Sequence, residues 1–148
     1  MTSKRLQLDS FLPYRLSVLT NRVSSAIARH YEERFGLTIA EWRVTAVLGE
    51  ASGLSAREVA MLTAMDKVQV SRAVSSLIAA RRVSRRQDRD DGRIGRLELT
   101  RAGRAVYGEI APLALQLEEQ FLSVLSAAER KEFDRLMTKL SQRSRALT

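Results

Sequence analysis

A chain of 148 residues with 45% apolar content is long enough for one ordinary globular domain with its own core, and needs no repeat or second domain. The absence of cysteine excludes disulfides, thiolate metal sites and thiol-based redox sensing, and a single histidine, His30, argues against a zinc site. A formal net charge of +8 favours a polyanionic partner, without by itself separating DNA from RNA or an anionic membrane.

No apolar run is long enough to span a bilayer, and Met1 to Ser10 is polar and charged rather than a leader, so a cytoplasmic protein with no membrane partner is expected. The first ten residues read as frayed. Asp9 or Ser10 then caps a long helix to about Phe35, in which Leu12, Leu16, Leu19, Val23, Ala26 and His30 recur at spacings of four and three. Such a heptad seam packs against other long helices, either in an intramolecular core or across a dimer interface. His30, on that seam, reads as a hydrogen-bonded core residue rather than a sensor. Gly36 ends the helix, and Thr38 with Glu41 forms a capping box that opens a second helix from Ile39 to about Ala51. Its expected buried residues are Trp42, Ala46 and Val47. Ser55 with Glu58 makes another box for a short third helix through about Leu62, and Thr63 to Met65 form a tight link.

The next stretch, Asp66 to Ala80, is a helix capped by Asp66 with Gln69 at its third position. Val70, Val74, Leu77 and Ile78 form its core stripe. Its other face carries Val68, Arg72, Ser75, Ser76 and Ala79, flanked by Gln69 and Ser71. Solvent-facing helices are normally lined with long charged side chains; short ones with a single arginine suit close approach, as in the major groove of B-DNA. Arg81 and Arg82 add positive charge at the C-terminal end, which suits the macrodipole. Between Arg81 and Arg96 lie seven arginines against three acids. Val83 to Gln87 and the alternating Gly95 to Leu99, joined through Asp90, Asp91 and Gly92, predict a β-hairpin. An arginine-rich hairpin directly after such a helix fits a wing that follows the sugar-phosphate backbone or enters a minor groove, with Arg85 and Arg89 among its candidate DNA contacts.

Thr100 is placed as N-cap of a fifth helix with Val106, Ile110, Leu113, Leu117, Phe121 and Val124 near heptad spacing, and Pro112 inside it is expected to bend it. Ser126 with Glu129 opens a last helix lined by Phe133, Leu136, Met137, Leu140 and Leu147. The predicted fold is therefore mainly α with a small β-hairpin wing. A winged helix-turn-helix over 36–100 is embedded in a single compact chain between long dimerisation helices over 1–35 and 101–148. A lone winged helix needs little more than half this length. Pairing the terminal helices of two copies would bury their seams and relate two recognition helices by a two-fold axis.

The Trp42-containing second helix, the DKVQVSRAV segment, the D-G-R of Asp91 to Arg93 and the LTRAG run from Leu99 to Gly103 together resemble the MarR family of bacterial transcriptional regulators over nearly the full chain. The resemblance implies an obligate homodimer whose fourth helix lies in the major groove of a palindromic operator and whose wing-tip Arg93 enters the minor groove. It implies that Asp91 holds that arginine by an ion pair and that Lys67, Val68, Gln69, Ser71 and Arg72 form the reading surface. It also implies a small aromatic or phenolic effector, whose pocket Arg15 and Trp42 would line. One departure is Arg81, where the family usually has glycine, so either the helix ends differently or Arg81 bears strain.

Arg72 is a candidate for base-edge or phosphate contact, the alternative being an intramolecular ion pair. Gln69 is either a cap or an adenine reader, and Ser71, Ser75 and Ser76 are phosphate contacts or spacers. The expected function is a homodimeric repressor released by a small ligand; the alternative is a ligand-independent architectural or RNA-binding protein using the same charge. No enzyme is expected, because there is no glycine-rich phosphate loop, no cysteine nucleophile and no partner for the one histidine, and no cofactor is implied.

Overall fold

The computed structural model describes residues 4–148. In chain order they form α1 (Leu12–Phe35), α2 (Ile39–Glu50), α3 (Ala56–Thr63), α4 (Lys67–Ala79), β1 (Val83–Gln87), β2 (Gly95–Leu99), α5 (Arg101–Leu122) and α6 (Ala127–Arg145). This is the mainly helical fold with one antiparallel hairpin read from the sequence, and both strands have the predicted bounds. No helix among the described residues is long and apolar enough to cross a membrane.

Packing divides the chain into two compact units, one ending at Leu113 and the other spanning Ala114–Thr148. The division falls inside α5 just after Pro112, which has no N–H to offer the carbonyl one turn back. In the first unit one apolar core draws Ala28 and Tyr31 from α1, Val44 and Leu48 from α2, Val59 from α3, and Val70, Val74 and Leu77 from α4. Val83, Leu97 and Leu99 from the hairpin and Val106 and Ile110 from α5 complete it. The ends of α1 and α5 thus share the core of the helix-turn-helix, although the sequence assigns them to the flanking regions.

Three sequence expectations change here. Asp9 and Ser10 do not cap α1: Leu8–Ser10 is a single 3-10 turn, the N-cap position is Phe11 without a side-chain bond, and the Ser10 hydroxyl donates to the Gln7 carbonyl. Pro13 is the reason, since at the second helical position it lacks the amide a capping side chain would bind. The expectation of fraying at residues 1–3 lies outside the described residues. On α2 the buried residues are Val44, Thr45 and Leu48, with Trp42, Ala46 and Val47 only half-buried. Apolar residues lie all round that helix, so periodicity alone cannot choose its inner face. His30 is exposed, not core; the buried face of α1 runs through Ala28 and Tyr31, on another side of the helix from the seam.

Most of that seam stays open among the described residues, with Val23 half-buried. Leu12, Leu16 and Leu19 are 42–48% exposed. The second unit carries the same feature further: the Ser126–Glu129 capping box forms and Arg130 makes two hydrogen bonds to Glu119, yet none of its residues is buried. Phe121, Phe133, Leu136, Met137 and Leu140 lie 42–51% exposed.

Candidate nucleic-acid interface

The helix-turn-helix is α3 and α4 with the link Ala64–Asp66. Ser55 and Glu58 form the reciprocal box at the start of α3, and Asp66 and Gln69 form another at the start of α4. Between them Ala64 takes the left-handed conformation (φ 54°) and drops Met65 into the core. Such a cap on a β-carbon residue costs about 1 kcal/mol, and the buried methionine offsets it. On α4, Val70, Ala73, Val74 and Leu77 are buried, so the stripe includes Ala73, while Ile78 is half-buried. Val68, Gln69, Ser71, Arg72, Ser75, Ser76 and Ala79 all face outward as expected.

Individual side chains on that face separate in role. Gln69 uses its Oε1 to accept from the Asp66 amide, which leaves its NH2 group and one Oε1 lone pair for a ligand. The Ser76 hydroxyl donates to Glu41 on α2 at 3.3 Å. Thr38 accepts from the Glu41 amide, but Glu41 does not return the bond, so that box is half-formed. Lys67, Val68, Ser71 and Arg72 line a cleft of about 560 Å³ shared with Arg57 of α3 and Arg85 of β1. Arg57 went unnoticed in the sequence because a cation in the first turn of a helix opposes the macrodipole and carries no motif.

The end of α4 resolves the departure at Arg81. Arg82 N–H donates to the Leu77 carbonyl and Arg81 N–H to that of Ile78, the paired bonds of a Schellman ending. Arg81 itself sits at φ 59°, so the helix ends as a glycine would end it and the arginine bears the strain. The LTRAG run braces this corner. Thr100 Oγ1 donates to the Arg81 carbonyl at 2.7 Å and accepts from the Gly103 amide at 3.1 Å, capping α5. A β-carbon at Gly103 would lie 2.0 Å from the Arg82 carbonyl oxygen, so only glycine permits the approach. The Arg82 guanidinium crosses to the Phe35 carbonyl at the end of α1, 2.9 Å away.

In the wing, Val83 pairs with Leu99 and Gln87 with Gly95, and Leu97 exchanges further main-chain bonds with Gly53 and Leu54. Besides Arg81, the other six of the seven arginines sort by geometry. Arg82 is committed to Phe35, Arg86 to Glu98 at 2.6 Å, and Arg96 to Asp88 at 2.8 Å and Glu58 at 3.3 Å. Arg86 and Arg96 face each other across the ladder, a like-charge pair that these carboxylates neutralise. Arg85 and Arg89 have no ion pair among the described residues; Arg85 lies along Gly95, and Arg89 lines a separate hollow on the wing. Arg93 is 91% exposed at the tip, held by both Asp91 oxygens through its Nε and an NH2 group. Its bond to Arg93 keeps the Asp91 carboxyl below its ordinary pKa. The Arg96 guanidinium, followed by the Asp91 and Asp90 amides, lowers that of Asp88 to about 2. The sequence reading missed Asp88 and Arg96; their eight-residue separation across a turn carries no local pattern.

Arg15 and Trp42 are not brought into one cavity. Arg15 lines a groove on α1 with Tyr14, Arg22, Leu12 and Leu19. Trp42 lies between Tyr31 and Tyr107, tilted by 33° against the first at a centroid distance of 5.7 Å and stacked on the second at 6.2 Å. Gly49 makes room for Tyr107, whose ring would lie 2.5 Å from a β-carbon there.

A protein-family model described as MarR family matches residues 35–94, from the end of α1 to the wing tip. An HTH-type transcriptional repressor of Mycobacterium tuberculosis is 28% identical over 131 residues, covering 88% of this chain and 91% of that protein. Among solved structures, a MarR/EmrR family transcriptional regulator from Acinetobacter sp. ADP1 superposes with a TM-score of 0.86 at 26% identity, covering 95% of this chain and 99% of the other. BpsR of Bordetella bronchiseptica, whose DNA binding is regulated by 6-hydroxynicotinic acid, superposes with a TM-score of 0.81 at 25% identity, covering 93% and 97%.

Proposed function

We propose that this chain is a MarR-family transcriptional regulator, as the match of residues 35–94 and the likeness to MarR-family structures support, and that it is a cytoplasmic homodimeric repressor that reads a palindromic DNA operator and is released by a small aromatic or phenolic acid. The observation that carries the reading is the outer face of α4, short side chains around Arg72 with Lys67 and Arg85 beside it, next to a wing that presents Arg93. Lys67, Val68, Gln69, Ser71 and Arg72 meet base edges or nearby phosphates, Ser75 and Ser76 act as spacers or reach phosphate, and Arg85 and Arg89 follow the backbone. Arg93, oriented by Asp91, enters the minor groove, whose negative potential is strongest where A·T-rich sequence narrows it.

The uncovered seams of α1 and α6 support the dimer, in which two recognition helices would meet half-sites about one helical turn apart. The regulated DNA binding of the Bordetella relative supports an effector, for which the groove on α1 offers the cations of Arg15 and Arg22. Selection of bound duplexes from a random pool tests the operator: a discrete palindrome is expected, and uniform binding of any duplex or of RNA refutes it. On the selected site, Arg93→Ala weakens binding about tenfold and lowers the slope of log K against log salt by about one. An unchanged slope and affinity remove Arg93 from the interface. Titration of the complex with substituted benzoic and nicotinic acids tests release.

A further inference from the structure

Main-chain pairing secures the base of the wing but not its tip. Among the described residues, 89–93 have no hydrogen bond to anything outside 88–94. The tip is instead gathered round Asp88. One of its carboxylate oxygens accepts from the Asp90 and Asp91 amides at 2.9 and 3.0 Å, and the other accepts from Arg96 Nε at 2.8 Å. The same guanidinium donates through its NH1 group to Glu58 Oε1 at 3.3 Å and to the Gly53 carbonyl at 3.5 Å. Glu58 is itself fixed, because its second oxygen caps the Ser55 amide. An unbroken line of charge-assisted bonds therefore runs from the start of α3 through Arg96 and Asp88 to Asp91, which holds Arg93. Arg96 and Asp88 are only 24% and 18% exposed, so this joint is far better shielded than the tip it supports.

We propose that Arg96 is a positioning residue for DNA reading: it ties the wing tip to the helix-turn-helix and so sets where Arg93 stands relative to α4. The inference rests on the DNA reading above and adds the residue that aims the wing. A planar fork serving two carboxylates and a carbonyl at once fixes a direction, which a single ammonium does not. Arg96 is turned inward onto these partners and needs no contact with the nucleic acid.

The test uses the full chain, with Arg96→Leu and, as a milder change that keeps the α3 cap, Glu58→Gln. Without DNA, amide hydrogen exchange at Asp90 and Asp91 should rise about tenfold or more in Arg96→Leu and less in Glu58→Gln, while α4 amides stay unchanged. With the selected operator, Arg96→Leu should weaken binding about tenfold. Arg93→Ala should cost about tenfold in the wild-type background but under about twofold in Arg96→Leu, because a misaimed tip has nothing left to lose. Fully additive losses, or tip exchange that does not change, overturn the proposal. If Arg93→Ala costs nothing in the wild-type background, the DNA reading of the wing fails and the proposal with it; that failure is recognisable because tip exchange still rises.

Discussion

At the scale of single residues, Arg81 shows how a departure from a usual pattern is absorbed. Its backbone adopts the left-handed conformation that the Schellman ending demands, although its β-carbon crowds the carbonyl there. The corner holds because Thr100 and Gly103 clamp both sides of it. Arg81→Gly should therefore stabilise the protein by roughly 0.5–1 kcal/mol, the relief of strain less the extra chain entropy glycine loses on folding. Thermal unfolding at fixed protein concentration reads this as a rise of roughly 2–4 °C per kcal/mol; a fall would mean that the Arg81 side chain contributes more than its backbone costs.

Among elements, the wing depends for its order on ionised carboxylates, Asp88 above all. Asp88 has an ordinary pKa of 3.8 and is held at about 2 by Arg96 and two tip amides. Its folded value lies below its unfolded one, so its contribution is fully present above about pH 4 and drains away as pH falls toward 2. Over that window Asp88→Asn should lose stability less steeply with acid than the wild-type protein, because asparagine has no proton to take up. Parallel curves for the two proteins would show that the Asp88 network does not couple to folding. Bulk ion pairs elsewhere matter less: Arg34 and Glu109 join α1 to α5 at 2.7 Å but are 61% and 47% exposed, and such pairs contribute little in water.

For the molecule as a whole, the decisive fact is apolar surface without cover. A 35-residue unit in which nothing is buried has no core to offset the entropy of ordering it. The exposed leucines of α1 add to the same deficit. The proposed pairing of two copies through these helices would account for both, and on that proposal Leu136→Glu should shift the assembly to monomer in sedimentation equilibrium, with operator affinity reduced about a hundredfold or more as the two half-sites are no longer read together. Persistence of the dimer would move the interface elsewhere.

Much of this was legible in one dimension because the determinants are local. Capping at Ser55, Asp66 and Ser126, the inward stripe and short outer face of α4, and the strand limits at Val83, Gln87, Gly95 and Leu99 all follow from periodicity, side-chain hydrogen bonding over three residues and turn chemistry. Other decisions belong to the tertiary structure, because they join residues that no short pattern relates. Which face of α2 is buried depends on what surrounds it on all sides, and the solvent exposure of His30 depends on which side of α1 the core takes. Of the seven arginines in the hairpin region, Arg82, Arg86 and Arg96 were claimed by partners up to 47 residues away. Charge counted along the chain is the same for all seven, and only the tertiary structure separates Arg82, Arg86 and Arg96, bound to distant partners, from Arg85 and Arg89, which have no ion pair among the described residues, and from Arg93, exposed at the tip beside its neighbour Asp91.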